Sequence, residues 1–250
     1  MIAPDSAWSV ADGARPPRSL SGSRQSRRAQ IPSSSMCEPL SRHTMVTPSA
    51  AAWAALMARH PELAEHAIVE GWVRDGRPLV VRRQSCSDPA GAIPLGLPLP
   101  PSHGKRRIAV TLEAREIIER EPPPLLADAA ATAPPAWRET IDRLLRLCPQ
   151  TRTFGSLAWQ HLTGLRYLTA SSDLDLIWPL YSAQQASTLP ADIANIARNA
   201  PIRLDGEITC PVGDVQWREL MCEDTDEVLV KRLNGVHGMT KAAFLSGAVS

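Results

Sequence analysis

The stretch F-G-S-L-A-W-Q-H-L-T-G-L-R-Y-L-T-A-S-S-D-L-D-L-I-W, residues 154–178, decides how the chain is read. Its close, S-D-L-D-L-I-W, alternates acid and apolar residues, the period of a strand with one buried face. The alternation predicts a strand over Asp173 to Trp178, with Leu174 and Leu176 in the core and Asp173 and Asp175 on the opposite face. Two carboxylates so spaced lie about 6 to 7 Å apart along a strand. They can share hard divalent cations, and an oxygen-only set without His or Cys favours Mg²⁺, which keeps waters and substrate phosphates in its shell. Ahead of them, Thr151 to Phe154 reads as a strand and Leu157 to Thr163 as a short helix. Gly155 lets backbone approach a phosphate closely, and Ser156 at the helix start offers N–H groups and a hydroxyl to an anion.

A two-metal site needs a third acid, and Asp205 in the next predicted strand, Ile202 to Ile208 (I-R-L-D-G-E-I), is the best placed. Glu207 shares its face and is held in reserve. Two metals about 3.5 to 4 Å apart would polarise a phosphorus, activate a hydroxyl and stabilise a departing pyrophosphate. Lys231, in the strand Val228 to Arg232, could add a cation for a triphosphate. Each element also has a plain structural reading: D-x-D occurs on solvated strand faces and Gly-Ser in ordinary turns. It is their order, their contexts and the third acid that point to chemistry.

Around this stretch, Trp137 to Leu147 is an amphipathic helix, and Ala183 to Arg198 is helical with an expected break at Pro190. Strands alternating with helices predict an α/β or α+β fold, with a mixed sheet and flanking helices over 136–250. A smaller N-terminal α+β domain is expected over 39–121. It begins with Thr47 as N-cap and Pro48 at the first helical position of Ala50 to His60. Strands follow at Leu79 to Arg83 and Arg107 to Leu112, separated by the Pro-rich run Ile93 to Pro101. Pro122 to Pro135 reads as a Pro- and Ala-rich linker. Arg82 and Arg83, and Lys105, Arg106 and Arg107, form two basic clusters that could grip a phosphorylated ligand. His60, His66 and His161 lie in helical patterns, and Trp178 and Trp217 read as core aromatics.

Residues 1–38 are rich in Ser, Arg and Pro and are expected to be a disordered basic arm. Arg27 and Arg28 are not followed by the apolar run of an export signal. Met36 stands where composition turns globular and is a candidate start of the native protein.

The 250 residues can bury a core without staples. Five scattered Cys without C-x-x-C imply neither a disulfide framework nor a zinc site, so reduced thiols in a cytoplasm are expected. No apolar run reaches the roughly 18 residues of a membrane span. Lys and Arg total 27 against 26 Asp and Glu, which argues against a nucleic-acid coat or a membrane-surface protein. That balance is local cancellation: residues 1–172 hold 21 basic and 15 acidic groups, 173–227 hold 3 and 11, and 228–250 hold 3 and none.

G-S, D-x-D on a strand and a third Asp resemble the nucleotidyltransferase superfamily of the DNA polymerase β type. Sixteen residues between Ser156 and Asp173 imply an inserted loop at Leu162 to Ala170. A closer resemblance runs through Arg42-His43, G-R-P-L-V-V-R-R (76–83), I-P-L-G-L-P-L-P (93–100), G-K-R-R-I-A (104–109), residues 154–168, S-D-L-D-L and L-D-G-E-I (204–208). Together these resemble the phosphoribosyl-dephospho-CoA transferases, the malonate decarboxylase holo-acyl-carrier-protein synthases. The resemblance implies transfer of phosphoribosyl-dephospho-CoA from 2'-(5''-triphosphoribosyl)-3'-dephospho-CoA to a serine of the acyl-carrier subunit of malonate decarboxylase, with release of pyrophosphate. It places the family's functional acids on Asp173 and Asp175. The alternatives are another Mg²⁺-dependent nucleotidyltransferase acting on a small molecule or a different protein, and an inactive nucleotide-binding module.

Overall fold

The computed structural model describes residues 40–247. The basic arm and the candidate start at Met36 lie outside them. The first half contains β1 (Met45–Pro48), α1 (Ala50–Arg59), two one-turn helices α2 (Pro61–Ala64) and α3 (Ala67–Glu70), β2 (Leu79–Val81), β3 (Ile93–Pro98), β4 (Arg107–Leu112) and β5 (Ile117–Glu121). The strands form an antiparallel sheet in the order β4-β3-β2-β1-β5.

Two expectations are corrected here. Thr47 and Pro48 do not open α1: Val46 and Thr47 pair with Arg120 and Glu119, which keeps the chain extended through β1. Ser49 is the cap instead, its hydroxyl accepting the Ala52 N–H at 3.1 Å. The Pro-rich run is likewise not a separator, because Ile93 to Pro98 is a central strand paired with β2 and β4. Prolines are tolerated there through their spacing. Pro94, Gly96 and Pro98 point their backbone groups to one side, the side on which the Pro94 carbonyl accepts the Arg82 N–H. That side faces β2, which is only three residues long, so two missing N–H groups forfeit little. Leu95 and Leu97 are fully buried.

The second half comprises α4 (Leu126–Ala129), α5 (Arg138–Leu147), β6 (Arg152–Thr153), α6 (Gly155–Thr163), β7 (Leu174–Pro179), α7 (Ala183–Ala197), β8 (Leu204–Cys210), β9 (Gly213–Gln216), α8 (Trp217–Met221), β10 (Glu227–Arg232), β11 (Gly235–Thr240) and α9 (Lys241–Ser246). Its sheet runs β11-β10-β9-β8-β7-β6. Only β7 and β8 are parallel, joined by the crossover helix α7, so the sheet is mixed and the protein is α/β in class. Helix α7 does not break at Pro190. The ring removes one hydrogen bond to the Ala186 carbonyl, and the buried row Ala186, Leu189, Ile193 and Ile196 holds the helix to the sheet regardless. The stretch expected as a linker carries α4, and its Leu126 and Ala129 are fully buried in the second core.

Helix α6 belongs to both halves. Its Leu157 packs in the second core, whereas Trp159, with Tyr167 from the loop that follows, packs in the first among Trp72, Leu97 and Leu99. The Tyr167 hydroxyl donates to the Pro98 carbonyl at 2.8 Å. Trp178 and Trp217 are buried core aromatics, as expected. Among the described residues four cysteines are unpaired, and no helix is long and apolar enough to cross a membrane.

Candidate functional site

Leu174 and Leu176 are fully buried, which turns Asp175 to the other face of β7, and Asp173 precedes the strand. The parallel register sets Asp205 of β8 directly beside Asp175. Three acids thus meet at one end of the parallel pair. Asp205 is firmly held: its Oδ1 accepts from Gln216 Nε2 at 3.0 Å and from the Gly206 N–H at 2.9 Å. Arg203, exposed, bridges Asp173 at 2.9 Å and Asp205 at 3.3 Å. Burial, reinforced by the charges of Asp205 and Asp173, pushes the Asp175 carboxyl up to about 7, against the Ser156 backbone N–H and Arg203.

The Gly155-Ser156 turn packs onto this carboxylate. The Phe154 N–H and the Thr153 hydroxyl both donate to the Asp175 carbonyl, at 3.1 and 2.9 Å, which clamps the turn to β7. Gly155 has φ of +62°, and a Cβ there would lie 1.9 Å from Asp175 Oδ2. Glycine is required at this position both for its backbone and for the space the acid occupies.

Next along β8 on the same face, Glu207 is buried among three basic side chains. Arg42 Nη1 lies at 3.1 Å, His43 Nε2 at 3.2 Å and Lys231 Nζ at 2.9 Å. Burial works to raise its pKa, but His43, Arg42 and Lys231 outweigh it and hold the carboxyl well below the usual range. This removes Glu207 from the reserve of metal ligands and gives Lys231 a resident partner. Arg42 also reaches Asp214 at 3.2 Å, where the Thr209 hydroxyl donates at 2.6 Å.

A cavity of about 610 Å³ opens between the two sheets. The second half lines it with Phe154, Gly155, Ser156, Asp175 and Lys231. The first half contributes an apolar wall around Val80, Leu97 and Ala109 and a basic rim. Of the expected basic residues, Arg82, Arg83, Lys105 and Arg107 reach it. Arg82 is committed to Asp88, at 2.8 Å through Nη1, and Arg106 turns away to His66 at 3.1 Å. Asp173 and Asp205 flank Asp175 outside the lining.

The three acids offer only carboxylate oxygen, and a divalent cation would favour the ionised form of Asp175, which burial first and then the charges of Asp205 and Asp173 disfavour, so the donor set fits Mg²⁺. Among the described residues no three such side chains already converge as a metal cage. Arg203 spans Asp173 and Asp205, and it would have to release them.

Arg42, His43, Arg203 and Asp214 were not singled out as site residues from sequence. For Arg42-His43 the signal was a charged pair set against the buried strand M-V-T-P, and for Arg203 its place two residues before Asp205.

The family model described as phosphoribosyl-dephospho-CoA transferase MdcG N-terminal domain matches residues 41–123, and the corresponding C-terminal domain model matches 125–242. A phosphoribosyl-dephospho-CoA transferase of Bradyrhizobium diazoefficiens is 40% identical over 84% of this chain and 94% of the relative. One from Xanthomonas campestris pv. campestris is 36% identical over 70% and 84%, and one from Pseudomonas putida 31% over 58% and 70%. No solved structure gives a significant match.

Proposed function

Because the chain belongs to the phosphoribosyl-dephospho-CoA transferase family through both of its domains, we propose that it moves a phosphoribosyl-dephospho-CoA group from triphosphoribosyl-dephospho-CoA to a serine of the apo acyl-carrier subunit of malonate decarboxylase, releasing diphosphate, in the cytoplasm. One observation carries the reading: a single cavity has basic and apolar walls from the first sheet and the Asp175 turn from the second. A CoA-like donor needs both. Arg83, Lys105 and Arg107 meet its phosphates, and the strand face around Val80 and Leu97 meets its pantetheine arm.

Asp173, Asp175 and Asp205 are the residues that would hold Mg²⁺, which supplies charge neutralisation to a triphosphate and its departing diphosphate. The Gly155-Ser156 turn fixes Asp175 against β7, and the Ser156 N–H keeps an oxygen of that carboxylate engaged. Gln216 and the Gly206 N–H hold Asp205 in the same plane of the sheet. Asp175 and Asp205 are thus positioned in part by backbone and amide donors, which do not compete for the substrate's negative charge, whereas Asp173 is held by Arg203.

The test combines protein, Mg²⁺, donor and apo carrier, and weighs the carrier by mass spectrometry. A mass gain of the prosthetic group is expected with wild type, and none with Asp173→Asn, Asp175→Asn or excess chelator. An unloaded carrier with wild type, or equal loading by the Asn variants, overturns the reading.

A further inference from the structure

We propose that His43 is the base that takes the proton from the incoming carrier serine, and that Glu207 orients it for that task; this rests on the group transfer proposed above. Among the described residues, which include all six histidines, His43 is the only histidine that lines the cavity, and Asp175 lines it too. Three contacts from separate elements fix its imidazole and backbone. Its ring stacks on Phe154, centroids 4.4 Å apart, and Phe154 immediately precedes the Gly155-Ser156 turn. Its Nε2 meets Glu207 Oε2 of β8 at 3.2 Å. Its backbone N–H donates to the Val81 carbonyl of β2 at 3.0 Å. Arg42 Nη2 donates to Glu207 Oε1 at 3.3 Å, which holds the carboxylate that the ring meets. The backbone is held at φ of +68°, a conformation a non-glycine residue adopts at a cost of roughly 1 kcal/mol or more. Such expense at a residue facing a cavity is typical of sites where side-chain placement matters.

The chemistry follows from the acceptor. The base role takes the tautomer in which Nε2 donates to the Glu207 carboxylate and Nδ1 keeps the lone pair; Arg42, which can only donate, then serves Glu207 and not the ring. The charged groups near the ring and its carboxylate partner are Arg42, Glu207, Lys231 and Asp214, and Phe154, on which the ring stacks, donates its backbone N–H to the Asp175 carbonyl. The alternatives are engaged: Asp205 accepts from Gln216, Gly206 and Arg203 and does not line the cavity, and Lys231 is paired with Glu207.

In the step, the serine O–H bond breaks and its proton passes to Nδ1 of His43. The serine oxygen bonds to the phosphorus attached to the ribose, and the P–O bond to the diphosphate breaks, the electron pair leaving with diphosphate. His43 then returns its proton to solvent.

The test compares His43→Ala, His43→Gln and Glu207→Gln with wild type, measuring carrier loading, donor binding by calorimetry, and rescue by added imidazole. His43→Gln can still donate to Glu207 but has no basic nitrogen, so it separates the proton role from a structural one. General-base loss costs about 10² to 10⁴ in rate. Both His43 variants are expected to fall by this factor in kcat while binding donor as wild type does, and imidazole is expected to restore His43→Ala. Glu207→Gln is expected to lose less rate, because the amide oxygen still accepts from Nε2. If His43→Gln loads carrier at the wild-type rate, or imidazole leaves folded, donor-binding His43→Ala unrescued, the inference fails while the transfer activity stands. If wild type loads no carrier, the failure lies with the activity itself.

Discussion

Replacing Gly155 and Gly164 by Ala, one at a time, separates two costs that occur at the two ends of the same helix. Both residues have positive φ, +62° and +69°. An added methyl group at Gly164 meets nothing within 4 Å, so Gly164→Ala reports the left-handed backbone alone. That is roughly 1 kcal/mol of stability. At Gly155 the same backbone cost applies, and the new Cβ also falls 1.9 Å from Asp175 Oδ2 and 2.7 Å from its Cγ. The carboxylate has to withdraw by about 1.5 Å to reach an ordinary contact of 3.4 Å. Overpacking adds about 1 to 3 kcal/mol, for a total near 2 to 4 kcal/mol. Displacement of a reacting-centre group by about 1 Å can cost roughly 100-fold in rate. Urea unfolding and carrier loading, measured on both variants, should therefore diverge. Gly164→Ala loses about 1 kcal/mol and loads carrier as wild type does. Gly155→Ala loses more stability and about 100-fold in rate. Equal losses in the two variants, or a fully active Gly155→Ala, would show that the turn does not set the position of Asp175.

The rim makes a contrast of its own: Arg107→Ala and Lys105→Ala should raise KM for the donor with little change in kcat, while Arg106→Ala, which faces His66 and not the cavity, should change neither in steady-state kinetics. Glu207→Ala leaves Arg42 and Lys231 without their buried partner and should cost about 3 to 5 kcal/mol in denaturant unfolding; a loss within experimental error would mean the cations find water. Arg203→Ala frees Asp173 and Asp205 from their bridging guanidinium and should lower the Mn²⁺ concentration needed for half-saturation, read by electron paramagnetic resonance, with weaker binding as the contrary result.

The acid strand was legible because alternation survives in sequence: Leu174 and Leu176 needed one face, and Asp173 and Asp175 were left with the other. Asp205 was legible for the same reason, and the parallel register then aligned it with Asp175. Strand β3 was hidden because proline counts against a strand, and only the side on which its missing donors fall makes it tolerable. Pro190 misled in the same way, since packing of Leu189 and Ile193 outweighs a local penalty. Strand β11, G-V-H-G-M-T, has two glycines and is largely exposed at a sheet edge, so no apolar period marks it. Arg42 and His43 lay furthest from reach. Their partner Glu207 is more than 160 residues away, and a charged pair in sequence carries no record of the carboxylate it will meet.

Helix α6 has a further consequence, for recombination between relatives. A chimera joined at Pro122 to Pro124 would take its first half from one parent and Trp159 and Tyr167 from the other. Yet those two side chains pack into the first half's core, against Trp72 and the Pro98 carbonyl. The junction in sequence is therefore not the junction in packing, and a functional exchange of first halves has to carry residues 159–167 along with it.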